Sequence, residues 1–287
     1  MNLSEVRQRY GITFKKSLGQ NLLLDDNINR ILVEAAALTS DDDVIEVGAG
    51  LGALTDRIRT QARRVLAIEI DRSFMPCLED RFADIENVVL FRGDVLNHTV
   101  EKLLDDFLPE PRTLKMVSNL PYYITNPILF HFWESPVFVD RMVVMVQEEV
   151  GLRMVAPVGA KNYGRLSLAA QYHAEVDLVH KVPASCFMPK PKVDSCIVRM
   201  RNRREGLFPD VDTALLMRVI SAAFGHRRKT LLNAMAGAPN MDLSKDTLAE
   251  VMSEAGIDSG RRAQTLSLEE FASLSRKLQD AGVVQSA

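Results

Sequence analysis

Val44-Ile45-Glu46-Val47 is followed directly by Gly48-Ala49-Gly50-Leu51-Gly52, and the rest of the chain is organised around this junction. The first four residues predict a buried strand, and a helical pattern runs from Ala53 to about Arg59. A strand that enters a helix through glycines lets the backbone approach a ligand where a Cβ atom would clash. We therefore expect a ligand-binding turn at the carboxyl end of this strand.

Strand-like and helix-like segments alternate after this junction. Further strands are predicted at residues 64–69, 87–91, 114–117, 141–147, 176–182 and 195–200. Helices are predicted to open near Asp26, Asp71 and Thr99. This alternation indicates an α/β fold with a doubly wound, mostly parallel sheet and right-handed crossovers, in which the last two strands form a closing pair.

The pattern changes after Arg204, where helical periodicity becomes dominant. The predicted helices cover residues 213–224, 228–235, 245–254 and 268–278. We therefore predict a larger α/β domain over residues 1–204 and a small helical domain over residues 205–287. Within the larger domain, residues 1–24 are too poor in apolar side chains for a core helix and indicate a partly mobile basic arm.

The composition is typical of a soluble protein of the cytoplasm. Hydrophobic residues make up 47% of the 287 residues, yet no apolar run approaches the ~20 residues of a membrane helix. Three widely spaced cysteines indicate reduced thiols, and five scattered histidines lack metal-ligand spacing. We expect a monomer with no metal and no membrane partner.

Positive charge is concentrated in one part of the chain. The net charge is −3, but residues 181–236 contain eleven Lys and Arg against four Asp and Glu. A local basic surface on an acidic protein is typical of phosphate contact, although basic runs also occur as solvated faces. This distribution favours a nucleic-acid partner.

Acidic residues beside the predicted strand ends bear on the ligand. Gly48 to Ala53 satisfies the G-x-G-x-x-A pattern of dinucleotide-binding folds, and Glu69 lies 21 residues after Gly48, where a ribose-binding acid is expected. These features leave NAD and a nucleoside-type cofactor both open. Glu46 favours S-adenosylmethionine, because a carboxylate can hold an ammonium group but repels a pyrophosphate. Asp94 could accept a hydrogen bond from the adenine amino group.

Asn119-Leu120-Pro121-Tyr122 is the candidate catalytic turn. It follows a predicted strand and precedes a helix-like segment, where substrates bind in open α/β sheets. The Asn119 amide oxygen and the Leu120 carbonyl, held by Pro121, supply two hydrogen-bond acceptors, and Tyr122 supplies a flat face. Two acceptors beside a ring suit the amino group of a heterocycle such as adenine. An ordinary strand-to-helix turn would also contain Asn and Pro.

Several segments together resemble a known family. They are Asn21–Leu23, Glu46–Gly52, Ile68–Asp71, Gly93-Asp94, Asn119–Tyr122, Tyr163–Ser167, Pro189–Ser195 and Arg227–Leu231. In order and spacing, the chain resembles the KsgA family of rRNA adenine N6,N6-dimethyltransferases over nearly its whole length. One departure is Ser17-Leu18, where that family often has a basic and an aromatic residue.

The resemblance implies a Rossmann-like class I methyltransferase domain and a helical RNA-binding domain. It implies transfer of four methyl groups from S-adenosylmethionine to two adjacent adenosines in the 3′-terminal hairpin loop of small-subunit (16S) rRNA, on a pre-30S ribosomal particle. The implied cofactor residues are Asn21, Leu23, Gly48, Glu69, Asp94 and Asn119, to which the residue patterns add Glu46, Gly50 and Gly52. A large-subunit rRNA dimethyltransferase of the macrolide-resistance type and an NAD-dependent oxidoreductase are the alternatives.

The predicted reaction is an in-line methyl transfer that depends on positioning. The adenine N6 lone pair is delocalised into the ring, and hydrogen bonds to Asn119 Oδ1 and the Leu120 carbonyl would aim it at the methyl group. Such alignment can supply up to about 7–11 kcal/mol. The target base must leave its stack, and Tyr122 and Phe187 are candidates to stack on it, although Phe187 could equally be a core residue. The predicted RNA contacts are Arg227, Arg228 and Lys229.

Overall fold

The computed structural model describes residues 3–12, 21–226, 228–239, 241 and 243–281. Ser17, Leu18 and Arg227, which the sequence analysis singled out, lie outside the described residues. Among the helices of the described part, none combines the length and apolar character that a membrane span requires.

Nine strands are present in the described residues. They are β1 Leu22–Leu23, β2 Asp42–Val47, β3 Arg64–Glu69, β4 Val88–Arg92, β5 Thr113–Asn119, β6 Arg141–Gln147, β7 Ala174–Val182, β8 Phe187–Met188 and β9 Ser195–Asn202. Seven of them form one sheet in the order β4-β3-β2-β5-β6-β9-β7, and β1 pairs with β8. The five neighbouring strands β4, β3, β2, β5 and β6 run parallel to one another, and β9 is antiparallel to β6. The predicted doubly wound, mostly parallel sheet is confirmed.

Twelve α-helices accompany these strands in the same residues. They are α1 Leu3–Tyr10, α2 Asp26–Ala36, α3 Ala53–Ile58, α4 Met75–Phe82, α5 Val100–Phe107, α6 Thr125–Trp133, α7 Glu148–Met154, α8 Arg165–His173, α9 Thr213–Phe224, α10 Leu231–Met235, α11 Lys245–Glu254 and α12 Leu268–Asp280.

The strand register brings the ends of the parallel strands to one edge of the sheet. Val47 at the end of β2 lies opposite Ile68 in β3, and Glu69 at the end of β3 lies opposite Arg92 in β4. Every residue of β2 is buried, and its apolar side chains Val44, Ile45 and Val47 pack on both faces, which fixes the register of the strand. The loops that follow β2, β3, β4 and β5 are therefore neighbours.

The structure corrects the interpretation of the N-terminal residues. Residues 3–10 form α1, and Val6 and Ile12 are buried in an apolar cluster with Phe74 and Cys77 beside α4. The expectation that this stretch holds no core helix is wrong for α1. A few apolar side chains suffice here, because α4 supplies the matching surface from a distant part of the sequence.

The chain divides into two compact units. One comprises Met1–Gly151 and Asp177–Asn202, and the other comprises Leu152–Val176 and Arg203–Ala287. The segment 152–176 thus belongs with the helices that follow residue 202, whereas the predicted larger domain of residues 1–204 included it. Within the second unit, the Tyr163 hydroxyl donates a hydrogen bond to the Leu266 carbonyl.

Candidate active site

Two clefts lie near the edge of the sheet where the parallel strands end. The larger lies beside the ends of β2 and β5 and the helices α2, α3 and α4, and the smaller lies where β2, β3, β4 and β5 end. The larger has a volume of about 690 Å³ and the smaller about 80 Å³. Of the predicted cofactor residues, the larger is lined by Leu23, Glu46, Gly48, Gly50 and Asn119, and the smaller by Asn21, Gly48, Gly50, Glu69, Asp94 and Asn119. The structure therefore brings together all the predicted cofactor residues except Gly52.

The loop after β2 adopts a backbone that favours glycine. Gly48 has φ +83°, and a Cβ atom there would lie 3.4 Å from Pro121 Cδ and 3.5 Å from the Asn119 carbonyl oxygen. Gly52 has φ +77° and packs against Phe82, whose Cε2 would lie 2.6 Å from an added Cβ. At Gly48 the positive φ favours glycine, although an added Cβ atom would make only ordinary contacts with the turn after β5, whereas at Gly52 an added Cβ atom would also clash with Phe82 of α4.

Glu69 ties the end of β3 to the glycine loop. Its two carboxylate oxygens accept hydrogen bonds from the Gly50 and Asp71 amides, each at 2.8 Å. Burial raises the pKa of Glu69 to about 7, while these amides act in the opposite direction. Each oxygen keeps a further lone pair, so the carboxylate can still accept from hydroxyl groups in the smaller cleft.

Glu46 is a buried acid beside the larger cleft. Its side chain is only 1% exposed, and the Thr55 hydroxyl donates to its Oε2. Burial raises the pKa of Glu46 to about 8, and the charge of Glu69 adds to this rise. A cation in the cleft would favour the ionised form. Sequence analysis missed Thr55, although its place in the first turn of the helix after the glycine loop was a usable signal.

Asp94 lies at the end of β4, where the smaller cleft begins. Its Oδ1 accepts a hydrogen bond from the Leu96 amide at 3.0 Å and so caps a short 3-10 turn over Val95–Asn97. The side chain is half-buried and lines the cleft. This capping bond fixes the position of the carboxylate relative to the cleft wall.

The turn over residues 119–122 is held on both sides. The Leu120 amide donates to the Met145 carbonyl of β6 at 3.1 Å. The Pro121 carbonyl accepts from the Ile124 amide at 3.2 Å and from the Thr125 hydroxyl at 3.0 Å. These bonds fix the backbone of the turn, and Asn119 borders both clefts.

The two predicted stacking residues have different surroundings. Tyr122 lines the smaller cleft, and its hydroxyl lies 2.5 Å from Ser195 Oγ. Burial raises the pKa of Tyr122. Phe187 is 3% exposed, belongs to the apolar core and is not among the residues described as lining either cleft. Its stacking role stays a prediction.

The two described members of the predicted RNA contacts lie in the second unit. Arg228 and Lys229 are exposed in the connection between α9 and α10.

The predicted absence of a metal site concerns the whole chain; in the described residues, no group of three or more His, Cys, Asp or Glu side chains is placed to hold a metal ion.

The hydrogen-bond acceptors and charges that line the clefts fit a nucleoside that carries an ammonium group. Carboxylates of Glu69 and Asp94 line the smaller cleft, and no Lys or Arg is among its described lining residues. In the larger cleft, Arg57 pairs with Asp26 and Arg81 with Asp56. A pyrophosphate would therefore find few available positive charges here, whereas hydroxyl and ammonium groups would find acceptors.

A doubly wound sheet in which the last strand of the sequence is inserted antiparallel beside β6, with helices following it, is the fold of class I methyltransferases. The family model described as ribosomal RNA adenine dimethylase matches residues 11–280. The chain belongs to the ribosomal RNA adenine dimethylase family.

Curated relatives agree with this assignment, and solved structures share the fold. The chain is 42% identical over 275 residues to ribosomal RNA small subunit methyltransferase A of Bacillus mycoides and of Bacillus anthracis, covering 96% of this chain and 94% of each relative. Among solved structures, a dimethyladenosine transferase from Plasmodium falciparum has a TM-score of 0.76 at 24% identity, covering 91% of this chain and 98% of that chain. The 23S rRNA methyltransferase ErmE has a TM-score of 0.64 at 24% identity, covering 90% and 100%. At these identities the two structures support the fold alone.

Proposed function

We propose that the protein is an S-adenosylmethionine-dependent rRNA adenine N6-dimethyltransferase. It dimethylates two adjacent adenosines in the 3′-terminal hairpin loop of small-subunit (16S) rRNA. The observation that carries this proposal is the position of Asn119, which ends β5 at the border of both clefts. The 42% identity to relatives named small subunit methyltransferase A favours small-subunit over large-subunit rRNA.

Three acidic residues would hold the cofactor. Glu69 would accept from the ribose hydroxyls, Asp94 from the adenine amino group, and Glu46 would face the ammonium of the methionine part. S-adenosylmethionine, when bound, supplies an electrophilic methyl group on a sulfonium. The glycines at 48 and 50 allow the backbone to approach it, since both have positive φ and border the clefts.

The turn over residues 119–122 positions the target amine. Asn119 Oδ1 and the Leu120 carbonyl would accept its two hydrogens, which favours a more pyramidal nitrogen and directs its lone pair. The bonds to Met145 and Thr125 hold the backbone of the turn, and with it the Leu120 carbonyl, in place before the amine arrives. The methylated ammonium is acidic enough to lose its proton to water, so no dedicated general base is assigned.

The Tyr122 ring would stack on the extruded adenine. Its hydroxyl is tethered to Ser195, which limits rotation of the ring before the base arrives. A loop adenosine leaves its stack at a cost of a few kcal/mol, which is least for an unpaired base. Stacking on an aromatic side chain offsets part of that cost.

The proposed partner is rRNA in a pre-30S particle, bound by a monomer in the cytoplasm. Exposed Arg228 and Lys229 support phosphate contact from the second unit. They lie in the most basic part of the sequence.

The test is methyl transfer with purified protein, S-adenosylmethionine and small ribosomal subunits from a strain that lacks this gene. Nucleoside mass spectrometry should detect N6,N6-dimethyladenosine, and primer extension should stop at two adjacent adenosines near the 3′ end. Restoring the gene in that strain should restore both stops. Methylation of large-subunit rRNA alone, or none at all, would contradict the proposal.

A further inference from the structure

Tyr122 and Tyr123 are consecutive but have different neighbours. The Tyr122 hydroxyl is bound to Ser195 at the start of β9. Tyr123 instead lies within electrostatic range of Asp94 and Glu69. Burial is the main cause that raises the pKa of Tyr123, and the charges of these two carboxylates add to the rise. Its ring lines the smaller cleft together with those two carboxylates. The second tyrosine therefore belongs to the wall that faces the proposed adenosine site.

Tyr123 is open to water beside the smaller cleft. Its side chain is 47% exposed, and Ile70 on the same cleft is 39% exposed. Two apolar surfaces that border one cleft and remain open to water would both lose exposed area if a flat ligand entered between the strand ends. Such a ligand gains contact area on both residues.

The chemistry of the cleft complements this apolar surface. Glu69 and Asp94 supply acceptors for hydroxyl and amino groups, and the Tyr123 phenol, which is protonated at neutral pH, supplies a donor. A purine nucleoside presents both donors and acceptors on a flat ring. The cleft thus matches a nucleoside better than an apolar molecule or a phosphate.

We propose that Tyr123 is a further cofactor-binding residue, whose ring covers the adenosine half of S-adenosylmethionine and shields it from water. This inference rests on the proposed function, because it takes that cofactor as the ligand of the smaller cleft. Tyr122 and Tyr123 then divide the two substrates between them. Tyr122 contacts the target base and Tyr123 contacts the cofactor.

The test is titration calorimetry of S-adenosylhomocysteine, the demethylated product, into the full-length protein without RNA. Tyr123→Ala should weaken binding by about tenfold, which corresponds to about 1.4 kcal/mol. Tyr123→Phe keeps the ring and should lose less than Tyr123→Ala. Leu178→Ala serves as the control, because Leu178 is likewise exposed, at 41%, but is not among the described residues that line either cleft, so its affinity for S-adenosylhomocysteine should equal that of the wild type.

RNA binding measured without cofactor supplies the second readout. Tyr123→Ala should bind small-subunit rRNA as the wild type does. Unchanged affinity for S-adenosylhomocysteine together with weakened RNA binding would assign the ring to RNA and overturn the inference. If Tyr123→Ala has a melting temperature well below that of the wild type, Tyr123→Leu replaces it, because leucine keeps apolar bulk but has no ring. The same two affinities, for S-adenosylhomocysteine and for RNA, are then measured on Tyr123→Leu. Failure of the wild type itself to bind S-adenosylhomocysteine would refute the proposed function, which is a different outcome.

Discussion

The Tyr122 hydroxyl and Ser195 Oγ lie 2.5 Å apart, although 73 positions separate the two residues in the sequence. Ser195 is completely buried at the start of β9, opposite Gln147 in β6. This bond ties the turn that follows β5 to a strand on the far side of β6. The ring proposed to receive the target base is therefore positioned by the sheet itself.

Removing this bond should lower turnover on RNA. Ser195→Ala and Tyr122→Phe each delete one partner, and a hydrogen bond of this kind contributes about 1 kcal/mol. We expect each variant to lose about fivefold in kcat/KM for RNA, with the KM for S-adenosylmethionine unchanged. The double variant should be no worse than either single variant, because both remove the same interaction.

A matched control for this cycle is Ser275→Ala. Ser275 is also a fully buried serine, but its hydroxyl donates to the Phe271 carbonyl within α12. Its removal should affect thermal stability without changing the kcat/KM for RNA. Losses in Ser195→Ala and Tyr122→Phe that simply add would show that the two residues act independently.

Glu46 should make the stability of the cofactor-free protein depend on pH. Its folded pKa is about 8, against an ordinary value of 4.5. Between these values the unfolded chain releases a proton that the folded protein keeps, so the free energy of unfolding falls as pH rises. Each pKa unit corresponds to about 1.4 kcal/mol. Glu46→Gln should therefore stabilise the protein at pH 8 and have little effect near pH 4.5.

Urea unfolding at both pH values measures this effect, with Glu79→Gln as an exposed control on α4. The same Glu46→Gln variant should bind S-adenosylhomocysteine more weakly, because it cannot supply a negative charge for the ammonium group. A gain in stability that is equal at both pH values would show that the pKa of Glu46 is not raised in the folded protein.

Arg228 and Lys229 should govern the salt dependence of RNA binding. Each phosphate contact contributes about 0.7 to 0.9 to the slope of log K against log salt concentration. Replacing both residues with Ala should reduce the magnitude of that slope by about one to two in total, because each residue accounts for about one such contact. Arg30→Ala with Lys102→Ala removes the same charge from residues that pair with Glu34 and Asp106, and should leave the slope unchanged. An unchanged slope in the first variant would remove this region from the RNA interface.

Local patterns were sufficient for most of the secondary structure. β3, β6, α9 and α11 have the predicted bounds, since each depends on apolar periodicity and flanking polar residues. The predicted helix at 228 begins only at Leu231, because the Thr230 hydroxyl accepts from the Asn233 amide and caps it there. The helix expected from Asp71 begins at Met75, because Asp71 accepts from Ser73 in a turn.

Contacts between distant segments could not be predicted in this way. The bond between Ser195 and Tyr122 depends on strand order, which no local pattern encodes. The same holds for α1, whose Val6 packs against Phe74 on another element. The candidate site was nevertheless predictable in outline, because strand ends, glycines and acids appear directly in the sequence.

The most direct test of this account compares wild-type protein with Asn119→Ala at saturating S-adenosylmethionine. Nucleoside mass spectrometry of the treated small subunits counts the methyl groups transferred, and thermal melting confirms that both proteins are folded. Because Asn119 is proposed to supply an acceptor for the reacting amine, the variant should be slower by about 100-fold or more. Four methyl groups per small subunit, transferred by Asn119→Ala at the wild-type rate, would contradict the proposed role of this turn.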